Sequence, residues 1–217
     1  MSLPEIGYPD LPERMTWEEL AELPEEIAGE IELWEGRVVW VRRGPGEHQI
    51  FMRRLTNEIE RCARTDMSAD PQRCWVANFE TNVFLGETGK SDYVTPDFLV
   101  HRCLGGAYRD VRAADTVLVG EVLSPSNTPA LQRAKRARYA KAGIPWYWEV
   151  TLEPDVGVIA LVAAYGLDTG HSHLPDGVSP LYPVDYRLVG QWINDGGESI
   201  SIAYPFPIEV PWSALAF

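Results

Sequence analysis

Two acids stand in this chain where strand-forming sequence would normally carry an apolar side chain. Asp97 follows Pro96 and opens the run Phe98-Leu99-Val100, and Glu121 lies between Val119 and Val122-Leu123. A carboxylate buried among such residues is costly unless it is paired or bound to a cation. Two of them, on strands expected to be neighbours, point to a site for a divalent ion with oxygen ligands. Mg²⁺ (or Mn²⁺) needs only one or two carboxylates, with waters and substrate phosphate completing its shell. The main-chain carbonyl of Val122 is the candidate for a third protein ligand. An ion so held activates water and neutralises charge in phosphodiester hydrolysis. Lys135, in the helix expected directly after the Glu121 strand, is the candidate to orient that water. Taken singly, Asp97 reads as a turn cap after Pro96, and the pairing with Glu121 is what tips that reading; Lys135, on these residues alone, reads as one more solvated helix cation.

The elements that must carry these residues are legible in outline. Thr16-Trp17-Glu18-Glu19 has the form of a capping box and opens a short helix running through Leu23. Glu30–Trp34 and Arg37–Val41 read as a hairpin turning at Glu35-Gly36. Pro45 opens a longer helix with Ile50, Phe51, Leu55, Ile59 and Cys62 at helical spacing. His48, near its start, reads as a hydrogen-bonding residue rather than a general base. Cys74 to Leu85 is strand-like, the Asp97 and Glu121 strands follow, and Ser124–Asn127 ends the second. Pro129 to Ala142 is a helix rich in alanine and arginine, stopped by Gly143. Trp146–Val150, Val156–Tyr165, Asp185–Val189 and Glu198–Ala203 are further strands, the last closed by Pro205 and Pro207. The sum is an α+β domain: a mixed β-sheet flanked by helices, one helix preceding the site and one crossing from the Glu121 strand to the Trp148 strand.

Composition narrows the setting. At 217 residues and 45% hydrophobic the chain fits a single domain with an ample core. No apolar run is long enough to span a bilayer. Cys62, Cys74 and Cys103 are odd in number and form no CxxC pair, so a reduced, cytoplasmic setting without structural disulfides is expected. The net charge of −13 opposes nucleic acid at first sight, but it is unevenly spread. Residues 48–149 hold 12 acids and 14 bases, and no acid falls between Glu121 and Glu149 while Arg133, Lys135, Arg136, Arg138 and Lys141 cluster there. The segment with the candidate site is locally basic inside an acidic protein, which permits a phosphate ligand. Arg133, Arg136 and Arg138 read as a solvated face, and Trp146 and Trp148 as core or dimer-contact aromatics.

Pro96-Asp97 followed by Glu121-Val122-Leu123 resembles the PD-(D/E)xK nuclease signature, with Leu123 where the lysine normally stands. The longer string Glu121-Val122-Leu123-Ser124-Pro125-Ser126, then Lys135, Tyr139, Ala142-Gly143 and Tyr147-Trp148, resembles the Uma family of restriction endonucleases. There the lysine has moved to the following helix, and Lys135 matches it. The Glu32-Leu33-Trp34-Glu35-Gly36 turn and the Pro45/His48 helix entry are similar to that family as well. Two departures stand out: Leu131 occupies a region where the family usually has an acid, and Asn127-Thr128-Pro129 replaces a stretch rich in Ser/Thr and Arg. The resemblance spans about 13–165 and implies a restriction-endonuclease-like core; beyond it, residues 166–217 read from their own pattern as a C-terminal β extension. It further implies a cytoplasmic, metal-dependent endonuclease acting on DNA, with Asp97, Glu121 and Val122 on the metal, Lys135 assisting water and Glu32 auxiliary. A homodimer is expected, since cutting both strands of a duplex takes two sites. The rival expectation is a catalytically impaired protein that keeps the fold as a binding or scaffold module.

Overall fold

The computed structural model describes residues 10–41, 44, 46–107, 109–123, 128–153, 158–169, 184–195 and 199–216. Pro45, the Ser124–Asn127 strand end, and Val156 and Glu198 at the starts of two expected strands lie outside these residues. The capping box forms: Thr16 and Glu19 exchange side-chain-to-backbone hydrogen bonds at the start of α1 (Trp17–Ala21). A separate turn, α2 (Glu25–Ala28), follows. The hairpin is β1 (Ile31–Trp34) and β2 (Arg37–Trp40), and its turn uses left-handed backbone at Glu35 and Gly36. Two successive positive φ angles suit the twist of a tight hairpin.

The long helix α3 (Gly46–Ala69) buries Phe51, Met52, Leu55, Ile59 and Cys62 on one face. β3 (Trp75–Phe79), β4 (Val83–Phe84), β5 (Tyr93–Val94), β6 (Phe98–Arg102), β7 (Val111–Arg112) and β8 (Thr116–Leu123) lead to helix α4 (Pro129–Lys141). Thr128 caps α4 by accepting from the Leu131 N–H, Pro129 occupies its first turn, and Gly143 beyond its end takes φ 78°. β9 (Trp146–Leu152), β10 (Ile159–Asp168) and β11 (Asp185–Ile193) complete the main sheet. β12 (Ile200–Ile202) does not end the chain's regular structure, because Pro205 and Pro207 lead into β13 (Ile208–Val210) and the short helix α5 (Trp212–Leu215).

The central sheet runs β11-β10-β9-β8-β6-β3 and is mixed, with β8 and β9 parallel and the other pairs antiparallel. A smaller sheet, β2-β1-β5-β4-β7, carries the hairpin. Side chains alternate across the central strands. Phe98, Val100, Val122 and Trp148 pack against α3 and the β12–β13 pair. Leu99, Val119 and Tyr147 face the other way, onto Tyr139 and Ala140 of α4 and Val83 and Val94 of the small sheet. Gly120 shares the α3 face with Phe98, and a Cβ there would lie 1.9 Å from the phenyl ring. Glu121, one residue on, therefore points to the α4 face.

One expectation from composition is overturned. Cys74 and Cys103 form a disulfide, with their Cα atoms 5.3 Å apart. The antiparallel register of β3 and β6 pairs Trp75 with Arg102, which sets the flanking cysteines side by side. Cys62 is the one free cysteine among the described residues, and it is buried. The helix-borne cations are not simply a solvated face either. Arg136 reaches Glu149 and covers Tyr165, while Arg138 pairs with Asp92 and covers Trp34. No helix of the described residues is long and apolar enough to cross a membrane.

Candidate active site

The register that pairs Phe98 with Gly120 brings the residue before β6 level with Glu121. Asp97 and Glu121 thus meet on the α4 face of neighbouring strands. Asp97 Oδ2 accepts a 2.6 Å hydrogen bond from the Val122 N–H. The same oxygen is 3.1 Å from His48 Nε2, which is also 3.0 Å from the Val122 carbonyl. Asp97, Glu121 and the Val122 carbonyl, the three expected metal ligands, therefore belong to one cluster, with the His48 ring against two of them.

Lys135 enters from α4. Its Nζ lies 2.9 Å from Glu121 Oε1 and 3.2 Å from Glu32 Oε1, and donates to the Thr95 carbonyl at 3.1 Å. Tyr139, one helical turn further, donates to Glu121 Oε1 at 2.5 Å. Residues four apart on a helix share a face, so the Lys135/Tyr139 spacing closes both groups over one carboxylate. Glu32 is fully buried; it accepts the Thr95 N–H at 2.8 Å and the Trp34 indole N–H at 2.7 Å. Its carboxylate thus ties β1 to the segment that delivers Asp97.

The electrostatics follow from burial. Loss of water pushes the Glu121 carboxyl up to about 8; the Lys135 ammonium opposes the rise and the Asp97 charge adds to it. For Lys135, burial works against the charge, but Glu121, Glu32 and Asp97 outweigh it and hold the ammonium above its usual range. His48 is likewise held above its ordinary value: burial opposes the charge, and the hydrogen bonds to Asp97 and Val122 prevail. Three carboxyl groups surround a single ammonium, a crowding of acids that a divalent cation would offset. The donor set fits such an ion, since carboxylate and carbonyl oxygens are what Mg²⁺ takes. As the side chains stand, no group of three or more His, Cys, Asp or Glu among the described residues is arranged to hold a metal. The carboxylate oxygens are instead engaged by Lys135, Tyr139, His48 and the Val122 N–H.

The cluster opens into a cavity of about 430 Å³, lined among others by Trp34, Trp40 and Tyr93 and by Leu131 and Gln132 of α4. Leu131 thus lies at the site, where an acid was expected from the resemblance. Glu80 also lines the cavity, at φ 43°, a backbone conformation uncommon outside glycine and asparagine. Glu149, the strand partner of Glu121 on β9, is engaged elsewhere, accepting from Tyr147 and Tyr165. Two groups at the site do more than the sequence assigns to them. Tyr139 stands there only in the family string, and its i, i+4 relation to Lys135 is the signal of its place. His48 stands there as a hydrogen-bonding residue without named partners, because they lie 49 and 74 residues away.

A mixed sheet with two acids on adjacent strands and a lysine above them is the arrangement of restriction-endonuclease-like nucleases. The family model Uma2, described as "Putative restriction endonuclease", matches residues 17–160, and the chain belongs to that family. Among solved structures it is similar to a "putative nuclease belonging to DUF820" from Anabaena variabilis. That likeness has a TM-score of 0.53 and 20% identity, over 70% of this chain and 79% of the other. No functionally curated protein matches the chain.

Proposed function

We propose that this protein is a metal-dependent endonuclease that hydrolyses DNA phosphodiester bonds. The observation that carries the reading is Lys135 Nζ at 2.9 Å from Glu121, reaching from α4 into the cavity that also holds Asp97. Asp97, Glu121 and the Val122 carbonyl would hold Mg²⁺ (or Mn²⁺), which when bound supplies charge neutralisation and an activated water. Lys135, kept protonated by Glu121 and Glu32, acts as a hydrogen-bond donor that orients the attacking water and opposes charge on the phosphate; it is not a base. Glu32 positions both Lys135 and the Thr95–Asp97 segment. In the reaction the water oxygen bonds to phosphorus, the bond to the leaving sugar oxygen breaks, and that oxygen takes up a proton. A homodimer belongs to the same proposal, as two sites are needed to cut a duplex.

Supercoiled plasmid with Mg²⁺ or Mn²⁺ tests the reading. The wild type should nick or linearise it, while Asp97→Ala and Glu121→Ala should each lose ~10²-fold or more in rate, the scale of loss when a transition-state charge stabiliser is removed. A second reading, a nuclease fold kept as a binding module, is favoured by Leu131 at the cavity wall. An inactive wild type, or variants that cut as fast as it does, would leave that second reading standing.

A further inference from the structure

We infer that His48 is itself a ligand of the cation, an imidazole nitrogen completing the set begun by Asp97 and the Val122 carbonyl. The inference rests on the metal site of the proposed function and goes beyond it in naming an additional ligand and the metal that this ligand favours. Nε2 lies 3.1 Å from Asp97 Oδ2 and 3.0 Å from the Val122 oxygen. Ligands about 2.1 Å from an octahedral cation stand ~3.0 Å apart when they are at right angles. The nitrogen therefore already holds the spacing of a neighbouring ligand to both oxygens.

The ring is held there. His48 is 5% exposed in the first turn of α3, and Gly44 lies against it so closely that a Cβ would come within 2.3 Å of the imidazole. Nδ1 faces away from the acids, buried and without a hydrogen-bond partner among the described residues. Nε2 has one proton to share between two oxygen acceptors. A cation in place of that proton engages all three atoms at once. The neutral ring then keeps its remaining proton on Nδ1, and any second proton leaves to solvent. Mg²⁺ favours an all-oxygen shell, whereas imidazole suits later transition ions. A nitrogen in the set shifts preference from Mg²⁺ towards Mn²⁺.

Electron spin-echo spectroscopy of Mn²⁺ bound to the full chain reads the bond directly. The wild type should show modulation from a coordinated ¹⁴N that changes when histidine is ¹⁵N-labelled. His48→Gln, and His48→Asn as a second variant, should melt as folded proteins, lose the nitrogen signal, and bind Mn²⁺ about tenfold or more weakly with a smaller loss for Mg²⁺. If Mn²⁺ binds the wild type and is lost in Asp97→Asn, yet no nitrogen signal is seen, His48 is not a ligand and the nuclease reading survives. A signal that persists in both His48 variants overturns the inference in the same way. A wild type that takes up no Mn²⁺ overturns both.

Discussion

Glu121 is where burial and charge compete most sharply. Its carboxyl is raised to about 8 in the fold from an ordinary 4.5, so the folded state prefers the protonated form. The stability this proton contributes is fully present below about pH 4.5 and is lost as pH climbs through about 8. Glu121→Gln keeps the shape and removes the titration. In metal-free buffer the wild-type melting temperature should fall between pH 5 and 8 by more than that of the variant, and thermal melts across that range decide it. At this scale the sequence is informative for Asp97 and Glu121, because an acid inside an apolar strand must find a partner. It does not disclose the partners of His48 or the Glu32–Lys135 contact, since both depend on strands and helices that meet only in three dimensions.

At the scale of elements, β8 shows how tightly the site's frame is packed. Gly120 supports Phe98 on one face while Glu121 serves the other, and a methyl at 120 would overlap the ring. Gly120→Ala should destabilise the protein by ~1–3 kcal/mol or more through overpacking, measured by urea unfolding. The hairpin, α3, α4 and the strands around the acids are readable because caps, turn glycines and alternating burial all agree there. β13 and α5 are not, because Pro205 and Pro207 signal a stop. Only contact with α3 makes the three-residue strand with buried Ile208 and Val210 worthwhile. α2 is a four-residue turn with too little periodicity to stand out.

Across the whole molecule, the disulfide joins the edge strand β3 to β6, the strand that begins just after Asp97. It closes a loop with a sequence separation of 29, for which chain-entropy reasoning gives ~3–4 kcal/mol of stabilisation. Reduced wild type and Cys103→Ser should therefore unfold at clearly lower denaturant than the oxidised protein, compared by chemical denaturation with and without reductant. Counting cysteines misled here because their pairing follows from strand register, which no spacing rule reveals.

The contacts of α4 have a consequence for transplanting the site. Lys135 reaches Glu121, Glu32 and the Thr95 carbonyl, Arg138 holds Asp92 and Trp34, and Lys141 reaches Glu35 at 2.8 Å. Every one of these links ends in one of three short stretches, 32–35, 92–95 or the strand at 121. The helix and those stretches form a cassette whose internal geometry is fixed by its own side chains. A designer moving this chemistry to another scaffold would carry the cassette together with the first turn of α3, and would keep β10 and β11 as well, because Tyr165 lies under Arg136 and Tyr186 packs with Tyr139 and Ala140 of α4.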